Sequence, residues 1–90
     1  MRFIWDSAKA RANLAKHGVS FEEAASAILD PFALEAADLL DPDRTIVLGM
    51  SGKSRILFVV TIILETQDTL RIVSARRASP SQRKKYEEAP

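Results

Sequence analysis

Ninety residues, 47% hydrophobic and 28% charged, amount to one globular domain spanning 1–90 with a single modest core. The chain has no cysteine and one histidine, which argues against disulfides, thiolate zinc sites or a dedicated transition-metal centre, and nothing in it implies a cofactor. No basic-then-apolar leader opens the chain, and the most apolar run, Ile56 to Leu64, is interrupted by Thr61 and too short to cross a bilayer; the expectation is a cytoplasmic protein with no membrane partner.

Arg2 to Trp5 predicts a short opening strand. Asp6 offers an N-cap for a helix over 6–17, which Gly18 ends. Ser20-Phe21-Glu22-Glu23 has the form of a capping box, in which serine and Glu23 each satisfy a backbone donor. The helix it opens, 20–29, carries Phe21, Ala24, Ala25, Ile28 and Leu29 as one apolar stripe and stops at Asp30-Pro31. Phe32 to Ala37 reads as a short strand. A meander of strands follows at 45–50, 55–64 and 70–76, with Arg55 to Leu64 apolar on both faces and therefore central. Ser79-Pro80-Ser81-Gln82 supplies an N-cap, an N1 proline and a capping-box glutamine for a final helix over 80–87. The fold class is α+β: an antiparallel sheet, an N-terminal helix pair and a short C-terminal helix.

The net charge of +1 conceals a segregation. Residues 20–43 hold seven acids and no Lys or Arg, and residues 69–86 hold six bases and no acid. Either the two blocks neutralise each other in the fold, or the basic end forms a phosphate-binding surface. Within that end, strand alternation puts Leu70, Ile72, Ser74 and Arg76 on one face and Arg71, Val73, Ala75 and Arg77 on the other, so that each face carries cations. Small Ser74 and Ala75 beside Arg76 and Arg77 leave room for an anion; the same arginines also suit solvated strand-end charges paired with acids. On the first helix, Lys9, Asn13, Lys16 and His17 line one side and Ala8, Ala12 and Ala15 another. That cationic side suits either a phosphate backbone or plain solvation, and His17 in the last turn suits capping as well as catalysis.

Phe3, Trp5-Asp6, Lys9, Asn13, Lys16-His17-Gly18-Val19, Phe21 and Glu23-Ala24 form an opening cluster, Asp30-Pro31, Arg44 and Gly49 recur in the middle, and Arg71-Ile72-Val73-Ser74-Ala75-Arg76, Ala78, Arg83 and Tyr86-Glu87 form a closing one. In these residues and in its order of elements the chain resembles the BrnT family of type II toxin–antitoxin toxins, within the RelE/ParE-like ribonuclease toxins. The resemblance implies a RelE-like domain with RNA-facing residues on its sheet and helices on the other side. It also implies a translation-inhibiting ribonuclease neutralised by a ribbon-helix-helix, BrnA-like antitoxin, as a homodimer or as a heterotetramer with that antitoxin. Where relatives often carry an arginine after glutamate before the last strand, this chain has Glu65-Thr66, a departure at one candidate phosphate contact that bears on potency.

Metal-free RNA cleavage requires a deprotonated ribose 2′-OH, a stabilised pentacoordinate phosphate and a protonated 5′-oxygen leaving group. Arg76 is the first choice to stabilise the phosphate because its fixed fork of donors matches two non-bridging oxygens. His17 and Lys16 are the catalytic candidates for proton transfer, and Arg77, Arg55, Lys9, Asn13, Arg71 and Tyr86 the candidates for RNA binding; Tyr86 suits base stacking or proton donation, and a C-terminal tyrosine suits covering the core even better. The rival expectation is a non-catalytic or degenerate toxin that binds antitoxin or nucleic acid through the same faces.

Overall fold

The computed structural model describes residues 1–64 and 68–90; the Glu65-Thr66 departure lies outside the described residues. In chain order the elements are β1 (Arg2–Ile4), α1 (Ser7–His17), α2 (Phe21–Ile28), β2 (Leu34–Ala37), β3 (Arg44–Met50), β4 (Ile56–Leu64), β5 (Thr69–Arg77) and α3 (Pro80–Glu88). The strands form one sheet in the order β1-β5-β4-β3-β2, antiparallel except for β1 beside β5. The doubly apolar run is β4, the central strand, as its pattern requires.

Local chemistry sets the helix ends. Asp6 accepts the Lys9 N–H at 2.9 Å to start α1, and Gly18 ends it in the left-handed region at φ 68°. Ser20 accepts the Glu23 N–H at 3.0 Å to start α2. The other half of that predicted box does not form, because the Glu23 carboxylate turns to Ser51 and Arg55 instead. At α3 the box is complete: Ser79 caps Gln82 and the Gln82 side chain accepts the Ser79 N–H.

Helices α1 and α2 cover one face of the sheet. Val19, Phe21, Ala24 and Ala27 pack there against Val47, Leu57, Val59, Ile72 and Ala75. Helix α2 approaches β3 so closely that a Cβ on Gly49 would fall 2.1 Å from the Ala27 carbonyl oxygen. Helix α3 does not join them: it buries no residue of its own and borders the opposite face, where Gln82 and Lys85 flank a groove floored by Leu34, Ile46, Leu48 and Phe58. Elsewhere that face is open, with Val60 and Ile62 only half-buried.

One irregularity overturns the expected division of β5. Val60 opposes Ser74 but Thr61 opposes Ile72, so Val73 is an extra residue in the ladder. The bulge resets the alternation. Ile72 and Ala75 both turn to the buried face, opposite Thr61 and Val59, and Arg71, Ser74 and Arg76 all turn to the open face, opposite Ile62, Val60 and Phe58. Only Arg77 remains on the other side, at the strand end.

No helix among the described residues is long and apolar enough to cross a membrane, and no group of three or more His, Cys, Asp or Glu side chains among them is arranged to hold a metal ion.

Candidate functional site

The site is built around the free end of β5. Strand β1 pairs with β5 only over residues 69–71, which leaves the later backbone edge without a neighbouring strand. Asn13 of α1 supplies that neighbour: its side-chain nitrogen donates to the Ala75 carbonyl at 2.8 Å and its oxygen accepts the Ala75 N–H at 3.1 Å, as a paired strand residue would. The same nitrogen donates to the Val19 carbonyl at 2.9 Å. Asn13 is thus buried and its amide fully engaged, so it does not line the RNA-facing side with Lys9 and Lys16 as its helical spacing suggested.

The bridge orients α1 along β5. Lys9, in the first turn, shares a cleft with Arg71 and Val73, and Asn13 meets Ala75, so helix and strand run the same way. One turn past Asn13, about 5.4 Å, is His17; two strand residues past Ala75, about 6.6 Å, is Arg77. The single histidine and the double arginine therefore come to the same end of the sheet. Lys16 there is exposed and His17 half-buried.

Arg55 fastens that end. Its Nε donates to Glu23 Oε2 at 2.9 Å, its Nη2 to Glu23 Oε1, and its Nη2 also to the Gly18 carbonyl at 3.1 Å, directly after His17. Ser51 donates a further bond to Glu23 Oε2 at 2.7 Å. The Arg55 guanidinium, then Ser51, hold the Glu23 carboxyl below its ordinary range against the upward push of burial. Placed by sequence among the phosphate binders, Arg55 is instead committed to a carboxylate only 3% exposed.

Arg76 stands on the open face with its guanidinium 4.1 Å from the centroid of the Phe58 ring. Its Nη1 donates to Gln82 Oε1 and to the Arg77 carbonyl, both at 3.1 Å. No carboxylate among the described residues pairs with it. The charge is held in orientation by neutral groups, the condition under which a cation acts on an incoming anion. On the other side of the strand end, Arg77 lines a cleft of about 320 Å³ with Arg55, Arg83, Met50 and Glu87. Tyr86 is turned away from both: its hydroxyl donates to Asp30, which also accepts the Met50 N–H at 2.8 Å. That phenol anchors α3, a role the isolated sequence did not distinguish from base stacking.

A small α+β domain with one sheet face open, an oriented arginine without a counter-carboxylate and a histidine at the same end of the sheet has the features of proteins that handle polyanions. The family described as ribonuclease toxin, BrnT, of type II toxin–antitoxin system matches residues 5–82. The chain is a member of the BrnT family of ribonuclease toxins. It is similar to the crystal structure of the Brucella abortus ribonuclease toxin BrnT, at 27% identity over 88% of this chain and 97% of that one, with a TM-score of 0.72. Comparison with curated protein sequences returns no match. The chain is accordingly a type II toxin, an endoribonuclease with an antitoxin partner.

Proposed function

We propose that cleavage takes place at the Arg76 end of β5 without a metal ion, with Arg76 stabilising the charge that grows on the non-bridging oxygens and His17 carrying the proton. The attacking ribose 2′-oxygen loses its proton, bonds to phosphorus, and the 5′-oxygen leaves with a proton. Lys16, Arg77 and Arg83 flank the strand end and draw the backbone in. The observation that supports the reading is the Asn13–Ala75 bridge, which aligns α1 with β5, so that the single histidine and the double arginine lie toward the same end of the sheet. Such a nuclease acts on cytoplasmic RNA and thereby inhibits translation. Its partner in this reading is a ribbon-helix-helix antitoxin that covers the basic end, in a heterotetramer with two toxins.

The test is single-turnover cleavage of a defined RNA in EDTA, with binding measured in parallel. Arg76→Ala is expected to cut the rate on the order of a hundredfold while affinity stays within a few-fold. His17→Ala is expected to lower the rate while RNA affinity stays within a few-fold. Equal rates for wild type and Arg76→Ala would remove Arg76 from the site. Activity that EDTA abolishes would overturn the metal-free chemistry.

A further inference from the structure

Arg71 and Arg76 are five residues apart, a spacing that regular alternation would place on opposite faces, and the bulge at Val73 brings them onto the same one. Because the bulge residue adds no step to the ladder, their partners Ile62 and Phe58 are four residues apart, which at roughly 3.3 Å per strand residue puts the two arginine positions about 13 Å apart. Between them lies Ser74, and alongside run Ile62, Val60 and Phe58 of β4, half-buried and apolar.

Around Arg71 the surface folds into a cleft of about 380 Å³ that also takes in Lys9 of α1 and Arg44 of β3, over Ile62, Leu64 and Val73. Its cations are not equivalent. Arg44 is paired with Asp41 at 3.2 Å, whereas neither the Arg71 guanidinium nor the Lys9 ammonium has a hydrogen bond or ion pair among the described residues. The acid in the cleft, Asp6, caps α1 through the Lys9 N–H, and its carboxylate also attracts the Lys9 ammonium without forming an ion pair. Two unpaired cations over an apolar floor, on the same face as Arg76, are what a polyanionic strand laid along β5 would meet next.

We infer that this cleft is a second, non-catalytic RNA subsite, which takes a backbone phosphate several nucleotides from the one cleaved. The inference rests on the reading that cleavage occurs at the Arg76 end. At a stacked rise of 3.4 Å per nucleotide, about 13 Å corresponds to roughly four steps, and to fewer for an extended strand. The toxin therefore measures strand length as well as the scissile phosphate.

The experiment is single-turnover cleavage of one RNA trimmed from either end, from ten nucleotides down to three, by wild type, Arg71→Ala and the Lys9→Ala/Arg71→Ala double variant. The wild-type half-saturating concentration is expected to rise about tenfold once trimming removes the nucleotide that reaches the cleft. The double variant should bind the longest RNA as weakly as wild type binds the trimmed one, with a salt slope shallower by about one to two units and the loss in half-saturation rather than plateau rate. Lys84→Ala, which removes an exposed charge on α3, should retain the length step. Cleavage by wild type with no length step, or a double variant that keeps the step, overturns the subsite alone. Failure of wild type to cleave any length overturns the functional reading and the subsite with it. A double variant that loses antitoxin affinity while its RNA half-saturation is unchanged would assign the cleft to the protein partner instead.

Discussion

Asn13 and Ala75, separated by sixty-two positions, are joined as two strand residues would be, although one of them sits on a helix. The side-chain amide closes the sheet edge that β1 leaves uncovered, and it sets the direction in which α1 crosses β5. Replacing Asn13 with alanine leaves the Ala75 N–H and carbonyl and the Val19 carbonyl buried without partners, so a loss of about 2–4 kcal/mol is expected. Urea denaturation measures it. Asn13→Asp should lose a similar amount because a carboxylate cannot donate to either carbonyl. A loss below about 0.5 kcal/mol in both would show that the bridge does not hold helix to strand.

The Glu23–Arg55 pair makes stability depend on acid. Because the folded carboxyl lies below its ordinary value of 4.5, the pair's contribution is fully present above that value and is lost as pH falls through the lower folded one. Urea midpoints of the wild type should therefore decline in that acidic window, and those of Glu23→Gln should decline less. At neutral pH Glu23→Gln is expected to cost about 2–4 kcal/mol, toward the low end because the Arg55 side chain keeps 26% exposure. Parallel acid limbs for the two proteins would exclude the pair as their cause.

Tyr86 produces the opposite pH dependence. Its hydrogen bond to Asp30, helped by burial, pushes the phenol up to about 12. The bond's contribution is present below the ordinary tyrosine value of 10.0 and disappears as pH rises from there through the folded value. Tyr86→Phe should lower stability by about 1 kcal/mol, a melting shift of roughly 4–8 °C, and speed amide exchange in α3. Because α3 buries no residue of its own, exchange elsewhere in the sheet should change little. Uniform acceleration across the whole chain would mean that α3 is not a separately anchored element.

Gly49 and Gly52 differ in what a side chain would meet. A Cβ at Gly49 meets the Ala27 carbonyl oxygen at 2.1 Å and its carbon at 2.9 Å, both backbone atoms of α2 that cannot swing aside. Gly49→Ala is expected to cost about 3 kcal/mol or more. At Gly52 the nearest atom is Ser26 Oγ at 3.7 Å, so Gly52→Ala should stay within about 0.5 kcal/mol of wild type. Thermal melts of the two variants give the comparison directly, and equal melting temperatures would contradict the close approach of α2 to β3.

Elements whose cause lies within a few residues were legible in the chain itself. The caps at Asp6, Ser20 and Ser79, the stop at Gly18 and the central place of the apolar run Ile56 to Leu64 all follow from neighbours in sequence, because a cap or a strand pattern is satisfied locally. The clusters at the two ends were sufficient to mark the family, whose profile spans residues 5–82. Which polar side chains are free was decided only by the tertiary structure. Asn13, Arg55 and Tyr86 belong to residue types that bind RNA, yet each is committed to a partner 62, 32 or 56 positions away. Glu23 leaves its own helix cap for Arg55 on the same long-range ground. The bulge at Val73 is of this kind too: it arises where β4 and β5 must both keep Thr61, Ile72 and Ala75 buried, and its consequence is to put Arg71 and Arg76 on one face. A one-residue register shift inverts every side chain beyond it, and the partner strand and core that select it lie outside any local window of the sequence.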